Sequence, residues 1–299
     1  MRDDGPMTVR LGFIFVPSQP PERLPALART VEAAGFDDLW VWEDCFKESG
    51  IASAAIALAV TERIHVGIGL LPAPLRNVAL TAMEATTIAR TFPGRFTLGV
   101  GHGVQSWMGQ AGARVASPLT LLREYTLALR ALLGGERVTT EGRYVRLDDV
   151  ALDWPPTPAP PIMLGGGGPK SIALTGEVGD GTLLAAALTV DEIADAARRS
   201  RAARPADATG EHPVVAALIV ATGDDGAKRA RRDLDQWRET EHDGSGAAGG
   251  SAEAIADAVR RFVAAGATTV AFQPTTDEPD LDRLVEFLAT EVRPLLADL

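Results

Sequence analysis

Residues 9–35 read VRLGFIFVPSQPPERLPALARTVEAAG and contain one complete strand–helix unit. The run 9–16 is almost continuously apolar and ends at Pro17, which is typical of a strand covered on both faces in a parallel sheet. An apolar stripe at helical spacing follows, formed by Leu24, Leu27, Ala28 and Val31. Gly35 stands where a helix C-cap is expected. The stretch therefore predicts a buried parallel strand followed by an amphipathic helix.

The same unit recurs along the chain. Further strands are predicted at residues 38–43, 64–71, 95–100, 161–164, 181–187, 214–221 and 269–273. The intervening helices are predicted at 51–61 and 79–91, from the Ser117-Pro118 pair, from Pro169, from the capping box Thr189-x-x-Glu192, from Asp224, and at 281–296. Eight alternating units favour an α/β fold of the (β/α)₈ TIM-barrel type over an open doubly wound sheet. We expect one domain over residues 1–299.

Three segments interrupt this alternation. Residues 134–149 combine turn signals with an alternating stretch, which predicts a hairpin inserted before the fifth strand. Residues 101–116 are predicted to form a long loop. Residues 243–250 are rich in Gly, Ala and Ser, and we interpret them as a flexible loop inside the seventh unit.

Composition excludes several classes of partner. The formal net charge is −11, with 46% hydrophobic and 23% charged residues, as in an ordinary globular protein. Nucleic acids and anionic membranes demand a clustered basic face, so neither is expected as a partner. The longest apolar run, 51–60, is about half a membrane span. Residues 1–6 lack the features of a signal peptide, which favours a cytoplasmic enzyme.

Cysteine and histidine usage narrows the chemistry. Cys45 is the single cysteine, so no internal disulfide is expected, and its two acidic neighbours should oppose thiolate formation. The four histidines are His65, His102, His212 and His242. They are scattered without ligand spacing, so no metal site is predicted.

The glycine run Gly165, Gly166, Gly167 and Gly168 is the most specific local feature. Consecutive glycines let backbone N–H groups approach an oxyanion, and the following helix adds its positive N-terminal end. Lys170 and Ser171 could add a charge and a hydroxyl group. A flexible strand-to-helix turn is the alternative. The spacing does not match the dinucleotide-binding fingerprint.

Candidate proton-transfer groups follow the second and fourth strands, where barrel enzymes carry their reactive residues. Glu43 and Asp44 are adjacent, so only one can face the barrel axis, and a carboxyl beside Trp40 or Trp42 would have a raised pKa. A helix cap for the Ser49 region is the alternative. His102 could relay a proton or be a surface residue. Trp107 and Met108 either pack the 101–116 loop down or cover a cofactor.

The chain resembles the luciferase-like monooxygenase superfamily, which includes flavin-dependent monooxygenases and oxidoreductases that use the deazaflavin coenzyme F420. The resemblance extends over most of the chain. It is carried by GFDDLWV at 35–41, VGIGLLPAPLRN at 66–77, PGRFTLGVGHG at 93–103, and the glycine run followed by GDG at 179–181.

This resemblance implies a flavin-type ring against strands two to four and a phosphate on the turn after strand five. The Gly69-Leu70 bond resembles the non-prolyl cis peptide, or bulge, that backs the ring in the F420 branch. Gly101 and Gly103 resemble positions beside the ring, and Gly166 to Gly168 resemble phosphate binders. It also implies a homodimer formed through helices such as 51–60.

The departure from the F420-dependent members is at strand two. Many of them carry an Asp-His pair before Phe, whereas this chain has Glu43-Asp44-Cys45-Phe46. Residues 181–189 also lack the lysines that hold phosphate in similar sugar-phosphate dehydrogenases. The leading hypothesis is hydride transfer between F420 and a small organic substrate, with Asp44, Glu43 or His102 handling the proton. The alternatives are an FMN-dependent monooxygenase and a non-catalytic flavin-binding barrel.

Overall fold

A computed structural model of the chain describes residues 9–238 and 240–299. Residues 1–6, on which the signal-peptide prediction depends, lie outside this part. The described residues form twelve strands: β1 (Arg10–Ile14), β2 (Asp38–Val41), β3 (His65–Ile68), β4 (Leu71–Pro72), β5 (Phe96–Gly101), β6 (Val138–Glu141), β7 (Arg146–Val150), β8 (Ile162–Gly165), β9 (Gly181–Leu183), β10 (Val214–Thr222), β11 (Ala247–Gly250) and β12 (Thr269–Pro274).

Helices follow most strands. Over the described ranges they are α1 (Leu24–Ala33), α2 (Gly50–Ala59), α3 (Val78–Thr91), α4 (Gln105–Gln110), α5 (Pro118–Leu133), α6 (Pro169–Val178), α7 (Val190–Ala202), α8 (Gly226–Trp237), α9 (Ala252–Ala264) and α10 (Leu281–Phe287). None of these helices combines the length and apolar character that crossing a membrane requires.

Eight parallel strands in the described part of the chain close into a barrel. Their order around the barrel is β1, β2, β3, β5, β8, β9, β10 and β12, and β12 pairs with β1 to complete the circle. The predicted (β/α)₈ barrel is therefore confirmed. The predicted hairpin is present as the antiparallel pair β6–β7.

Two apolar layers position the site. The outer layer lies between strands and helices and includes Phe13, Leu98 and Phe272. The inner layer fills the barrel itself and is formed by Ile14, Val16, Trp40, Met163, Leu183, Val215 and Ala271. Alternation along β12 explains the division, because Ala271 faces inward while Phe272 faces the helices.

Several predicted boundaries were wrong. Residues 101–116 contain α4, and residues 243–250 contain β11 rather than a flexible loop. β11 is Gly- and Ala-rich because it is tightly packed: a Cβ on Gly249 would lie 2.6 Å from the carbonyl oxygen of Gly226. The sixth barrel strand, β9, ends at Leu183 rather than at residue 187. The third barrel strand, β3, ends at Ile68 rather than at residue 71, and the last helix is α-helical only to Phe287 rather than to residue 296.

Candidate active site

A cavity of about 400 Å³ opens at the C-terminal ends of the barrel strands, within the usual size range of ligand pockets. Its wall contains Ile14, Trp40, Trp42, Glu43, Asp44, Gly69, Leu70, Pro72, His102, Gly103, Val104, Gln105, Trp107, Gly165, Gly166, Gly167, Leu183, Leu184, Ala185, Ala186, Val215, Ala217, Trp237 and Ala271. This is the end of the barrel at which enzymes of this fold carry their reactive groups.

Glu43 is held by the protein on both carboxylate oxygens. Its Oε1 pairs with Nη1 of Arg76, and its Oε2 accepts hydrogen bonds of 2.9 Å from Nη2 of Arg76 and from the backbone N–H of Gly50. Gly50 is the first residue of α2, so the contact with Glu43 is the helix cap that was the alternative to a proton-transfer role. Arg76, whose Nε also lies 3.4 Å from Oε2 of Glu84, thereby pairs with Glu43 and ties the chain after β2 to the chain after β4.

Asp44 is less fully engaged. Its Oδ2 lies 4.0 Å from Nζ of Lys47, and its side chain is 19% exposed. Burial raises the pKa of Asp44, and this effect exceeds the opposing hydrogen bond from Trp42 and the charge of Lys47. Asp44 therefore holds its proton to a higher pH than an ordinary aspartate does.

His102 follows β5 and lies between the C-terminal ends of β5 and β8. Its Nδ1 is 3.0 Å from the carbonyl oxygen of Gly103, and its Nε2 is 3.3 Å from the hydroxyl of Ser171. Because a carbonyl oxygen can only accept, Nδ1 carries a hydrogen, and in the neutral imidazole Nε2 accepts from Ser171. His102 thus joins the β5 loop to the first turn of α6, and it lines the cavity.

The two ends of the glycine run have different surroundings. Gly165 lies under Leu70, since a Cβ there would come within 2.5 Å of the Leu70 Cδ2, and Gly101 is filled by the same side chain at 2.6 Å. A Cβ on Gly167 or Gly168 would meet no atom within 4 Å. The turn therefore leaves open space at the N-terminus of α6, where the first N–H groups have no partner within the helix.

The other residues predicted from the sequence also have clear positions. The Gly69-Leu70 peptide bond is cis, as the resemblance implied. Gly103 has φ +70°, and the space beside it is filled by Met108. Lys170 is exposed on α6 and is not part of the cavity wall. Met108 thus packs the loop down, while Trp107 lines the cavity.

The structure also describes the other reactive groups of the sequence. No group of three or more His, Cys, Asp or Glu side chains suited to a metal ion occurs among the described residues. Burial, with added repulsion from Glu43 and Asp44, raises the pKa of the Cys45 thiol. The thiol is consequently a weak nucleophile at neutral pH.

A family profile described as luciferase-like monooxygenase matches residues 7–279. The chain belongs to the luciferase-like monooxygenase family. It is similar to the 5,10-methylenetetrahydromethanopterin reductase of Methanolobus tindarius, with 32% identity over 196 residues, 63% of this chain and 60% of that protein. It is also similar to the F420-dependent hydroxymycolic acid dehydrogenase of Mycobacterium tuberculosis, with 32% identity over 236 residues, 73% of this chain and 64% of that protein.

The chain thus spans less than two thirds of the length of these two relatives. Among solved structures, an F420-dependent secondary alcohol dehydrogenase in complex with an F420–acetone adduct superposes with a TM-score of 0.82. The match has 20% identity and covers 98% of this chain and all of that one (100%). At this identity the superposition shows that the two chains share a fold.

Sequence reasoning missed three features of this luciferase-like monooxygenase cavity. Arg76 pairs with Glu43, Gln105 lines the wall from α4, and Trp237 reaches the cavity from the end of α8. Trp237 follows β10 by 15 positions, so a search limited to strand ends and the loops after them could not find it. The residue type could have indicated it, because a tryptophan at the end of a charged helix does not belong to the apolar stripe that packs the helix against the barrel.

Proposed function

We propose that this chain is an oxidoreductase that uses coenzyme F420 for hydride transfer with a small organic substrate. The observation that carries the proposal is the cavity with its open glycine turn, found in a chain similar to two relatives named for F420 or methanopterin chemistry. The family also contains enzymes that use FMN, so the identity of the cofactor needs a direct test.

The residues fit such a coenzyme. The phosphate would bind at Gly166, Gly167 and Gly168, where the helix N-terminus favours an anion. The space beside Gly167 and Gly168 is open, whereas Ser171 fills the space beside Gly166. Ser171 and the exposed Lys170 would support the phosphate. The ring would lie against Gly69, Leu70 and Gly103. Gly101, which was also predicted beside the ring, is covered by Leu70 and does not line the cavity. When bound, F420 supplies a two-electron centre that exchanges hydride with carbon.

The proton is the task of the protein. Asp44 is our candidate for holding or releasing it, because burial favours the protonated carboxyl and its oxygens are only weakly engaged. Glu43 would position the loop through Arg76 and Gly50, and His102 would orient the turn through Ser171. We therefore expect a smaller loss of kcat for Glu43→Gln than for Asp44→Asn.

The test is a comparison of two cofactors. The purified chain is titrated separately with F420 and with FMN, and binding is followed by quenching of cofactor fluorescence. F420 should bind at least about tenfold more tightly than FMN, a difference of 1.4 kcal/mol. Tighter FMN binding would identify the monooxygenase alternative, and failure to bind either would support a barrel without this chemistry.

A homodimer is part of the proposal. Ile56 on α2, Leu80 and Met83 on α3, and Leu127 on α5 are exposed apolar side chains on neighbouring helices. A patch of this kind supports a protein interface. Light scattering at micromolar concentration should give twice the chain mass, and Met83→Glu should halve it; a monomeric wild-type chain would reject the dimer. Location in the cytoplasm stays a prediction from composition.

A further inference from the structure

The cavity wall is chemically uneven. Around the barrel, β12 lies opposite β5 and β10 lies opposite β3. The glycine turn and Leu70 belong to the β3–β8 half, whereas the wall from β9 through β10 to β12 is lined by small or apolar side chains. They include Leu184, Ala185, Ala186, Val215, Ala217 and Ala271. If the β3–β8 half holds the cofactor, as proposed above, the part from β9 to β12 is the substrate wall.

Tryptophan side chains enclose this wall at the mouth. Trp42 and Trp237 meet edge to face, with ring centroids 6.4 Å apart and an interplanar angle of 90°. Trp237 is 47% exposed although its ring lines the cavity, so a large apolar surface stays in contact with water. Trp107 lines the cavity from α4. Flat rings gain most from such walls, because aromatic contacts combine buried area with a preferred geometry.

Cationic side chains are absent from the wall. Of the described residues that line the cavity, none is Lys or Arg, and Arg76 behind Glu43 is already paired. The nearby Lys47 is 47% exposed and lies beside Asp44, outside the main cavity. An anionic substrate would lose its hydration against apolar groups and face Asp44 without a counter-charge, which is costly.

A cationic substrate is also disfavoured. Glu43 is paired with Arg76, and the nearest cation to Asp44 is Lys47, 4.0 Å away and outside the main cavity. One partly shielded carboxylate is a poor replacement for the hydration shell of an ammonium group in an otherwise apolar cavity. A neutral hydroxyl or carbonyl needs only one hydrogen bond there, and Asp44 can supply it.

We propose that the substrate is an uncharged, flat molecule, aromatic or conjugated, whose reacting group is an alcohol or carbonyl placed beside Asp44. Trp42, Trp107 and Trp237 would hold its ring, and the alanines of the substrate wall would leave room for it. The proposal rests on the proposed function in taking Asp44 and the substrate wall as parts of one active site.

Isothermal titration calorimetry on the full chain tests it with four matched probes: 2-naphthylmethanol, 2-naphthoate, 2-naphthylmethylamine and the globular 1-adamantanemethanol. We expect 2-naphthylmethanol to bind at least about tenfold more tightly than each of the others. If the amine or the carboxylate bound as tightly as 2-naphthylmethanol or more tightly, the proposal that the substrate is uncharged would be wrong. If 1-adamantanemethanol bound equally well, the proposal that the substrate is flat would be wrong.

Two variants test the wall directly. Trp237→Ala should weaken binding of 2-naphthylmethanol by roughly fivefold or more, since an aromatic contact is lost. Trp154→Ala removes a 69% exposed tryptophan that stacks on Arg90 outside the cavity, so it should change nothing. Ala185→Lys adds a cation to an exposed position of the wall, and 2-naphthoate should then bind better than the alcohol. Unchanged probe affinities in Trp237→Ala and Ala185→Lys would refute the assignment.

F420 titration of the same proteins separates the two proposals. Binding of the naphthyl probes is measured without cofactor, so it does not depend on F420, and Trp237→Ala shows whether the probe lies on the substrate wall. If F420 fails to bind while the probe preference holds, the proposed function is wrong and the wall assignment stands. If F420 binds and the preference is absent, the substrate class is wrong.

Discussion

The two ends of the barrel differ in how their polar groups are paired. At the N-terminal end, Asp38 accepts hydrogen bonds of 2.7 and 3.0 Å from Arg10, and its Oδ1 lies 3.2 Å from Nδ1 of His65. At the C-terminal end, Glu43 is paired with Arg76, whereas Asp44 has a weaker ion pair. Asp44 there has a 4.0 Å contact with Lys47 as its ion pair.

This difference separates stability from function. Burial opposes ionisation of Asp38, but its partners His65 and Arg10 outweigh burial and hold the pKa of Asp38 below its usual range. Burial also opposes ionisation of Asp44, and there the hydrogen bond from Trp42 and the charge of Lys47 are too weak to offset it, so the pKa of Asp44 is raised. An aspartate thus stabilises the fold at one end, and at the other end we propose that an aspartate holds a proton, in line with the division of roles in barrel enzymes.

The largest expected effect is that of Asp44→Asn. The amide keeps the shape of the side chain but cannot exchange a proton, so kcat should fall about 100-fold or more, or about 2.7 kcal/mol, while F420 affinity stays nearly unchanged. The measurement is F420-linked turnover of the best neutral alcohol or carbonyl compound. In the direction in which Asp44 donates, wild-type kcat should fall as pH rises through its pKa, and the variant should lack this limb.

Asp38→Asn is the matched control at the other end. It should lower the free energy of unfolding by roughly 2 kcal/mol, because a charge-assisted pair is lost, and leave kcat per folded molecule unchanged. Asp44→Asn should not lower stability, since burial already disfavours its charge. The assignment to Asp44 would be wrong if Asp44→Asn lowered stability while Asp38→Asn lowered kcat, or if Asp44→Asn turned over at the wild-type rate. Proton transfer would then have to be assigned to His102.

The order of barrel strands could be predicted from the sequence, because each strand is a short apolar run beside a helix with a regular apolar stripe. β11 could not. Its residues Ala247, Ala248 and Gly249 indicate flexibility when taken alone, whereas in the fold their small size lets the strand pass between β10 and the start of α8. Glycine content does not distinguish freedom from close packing until the neighbours are known.

The candidate site was predictable to the extent that it lies at strand ends. Glu43, Asp44, His102 and the glycine turn come together at one cavity, as the barrel rule requires. The partners that decide their chemistry are distant in sequence. Arg76 lies 33 positions from Glu43 and Ser171 lies 69 from His102, and no local pattern marks either contact. Lys170 shows the converse, since it is adjacent to the turn but exposed.

A pH experiment sharpens the description of the N-terminal end. Burial, helped by the charges of Arg204 and Arg201, lowers the pKa of His212 to about 4. Its Nε2 is 2.9 Å from Thr182 Oγ1, which is 2.6 Å from Thr175 Oγ1. Because the unfolded chain binds the proton more readily, this contribution to stability is present above pH 6.5, the ordinary histidine value, and is lost as pH falls towards about 4.

Removing the titration should therefore flatten the pH dependence. When the pH is lowered from 7 to 5, the unfolding free energy of the wild type should fall by about 1.5 kcal/mol more than that of His212→Gln. Urea titrations across this range measure the difference. His242→Gln is the control, as its imidazole pairs with the exposed Asp235 rather than with a buried hydroxyl. Parallel curves for wild type and His212→Gln would mean that the native imidazole titrates normally.

The smallest expected effect tests the open space at the C-terminal end. A Cβ at Gly167 meets no protein atom within 4 Å, so Gly167→Val should fold with an unchanged melting temperature. Its branched side chain would enter the cavity where the phosphate is proposed to bind, and F420 affinity should drop about tenfold or more, or 1.4 kcal/mol. Lys170→Ala removes only an exposed charge and should weaken binding less than this, with a loss that disappears at high salt. Fluorescence titration with F420 measures both variants. A folded Gly167→Val protein with wild-type affinity would place the phosphate elsewhere, and a loss that appears only together with a lower melting temperature would mean that the turn maintains the fold rather than binding an anion.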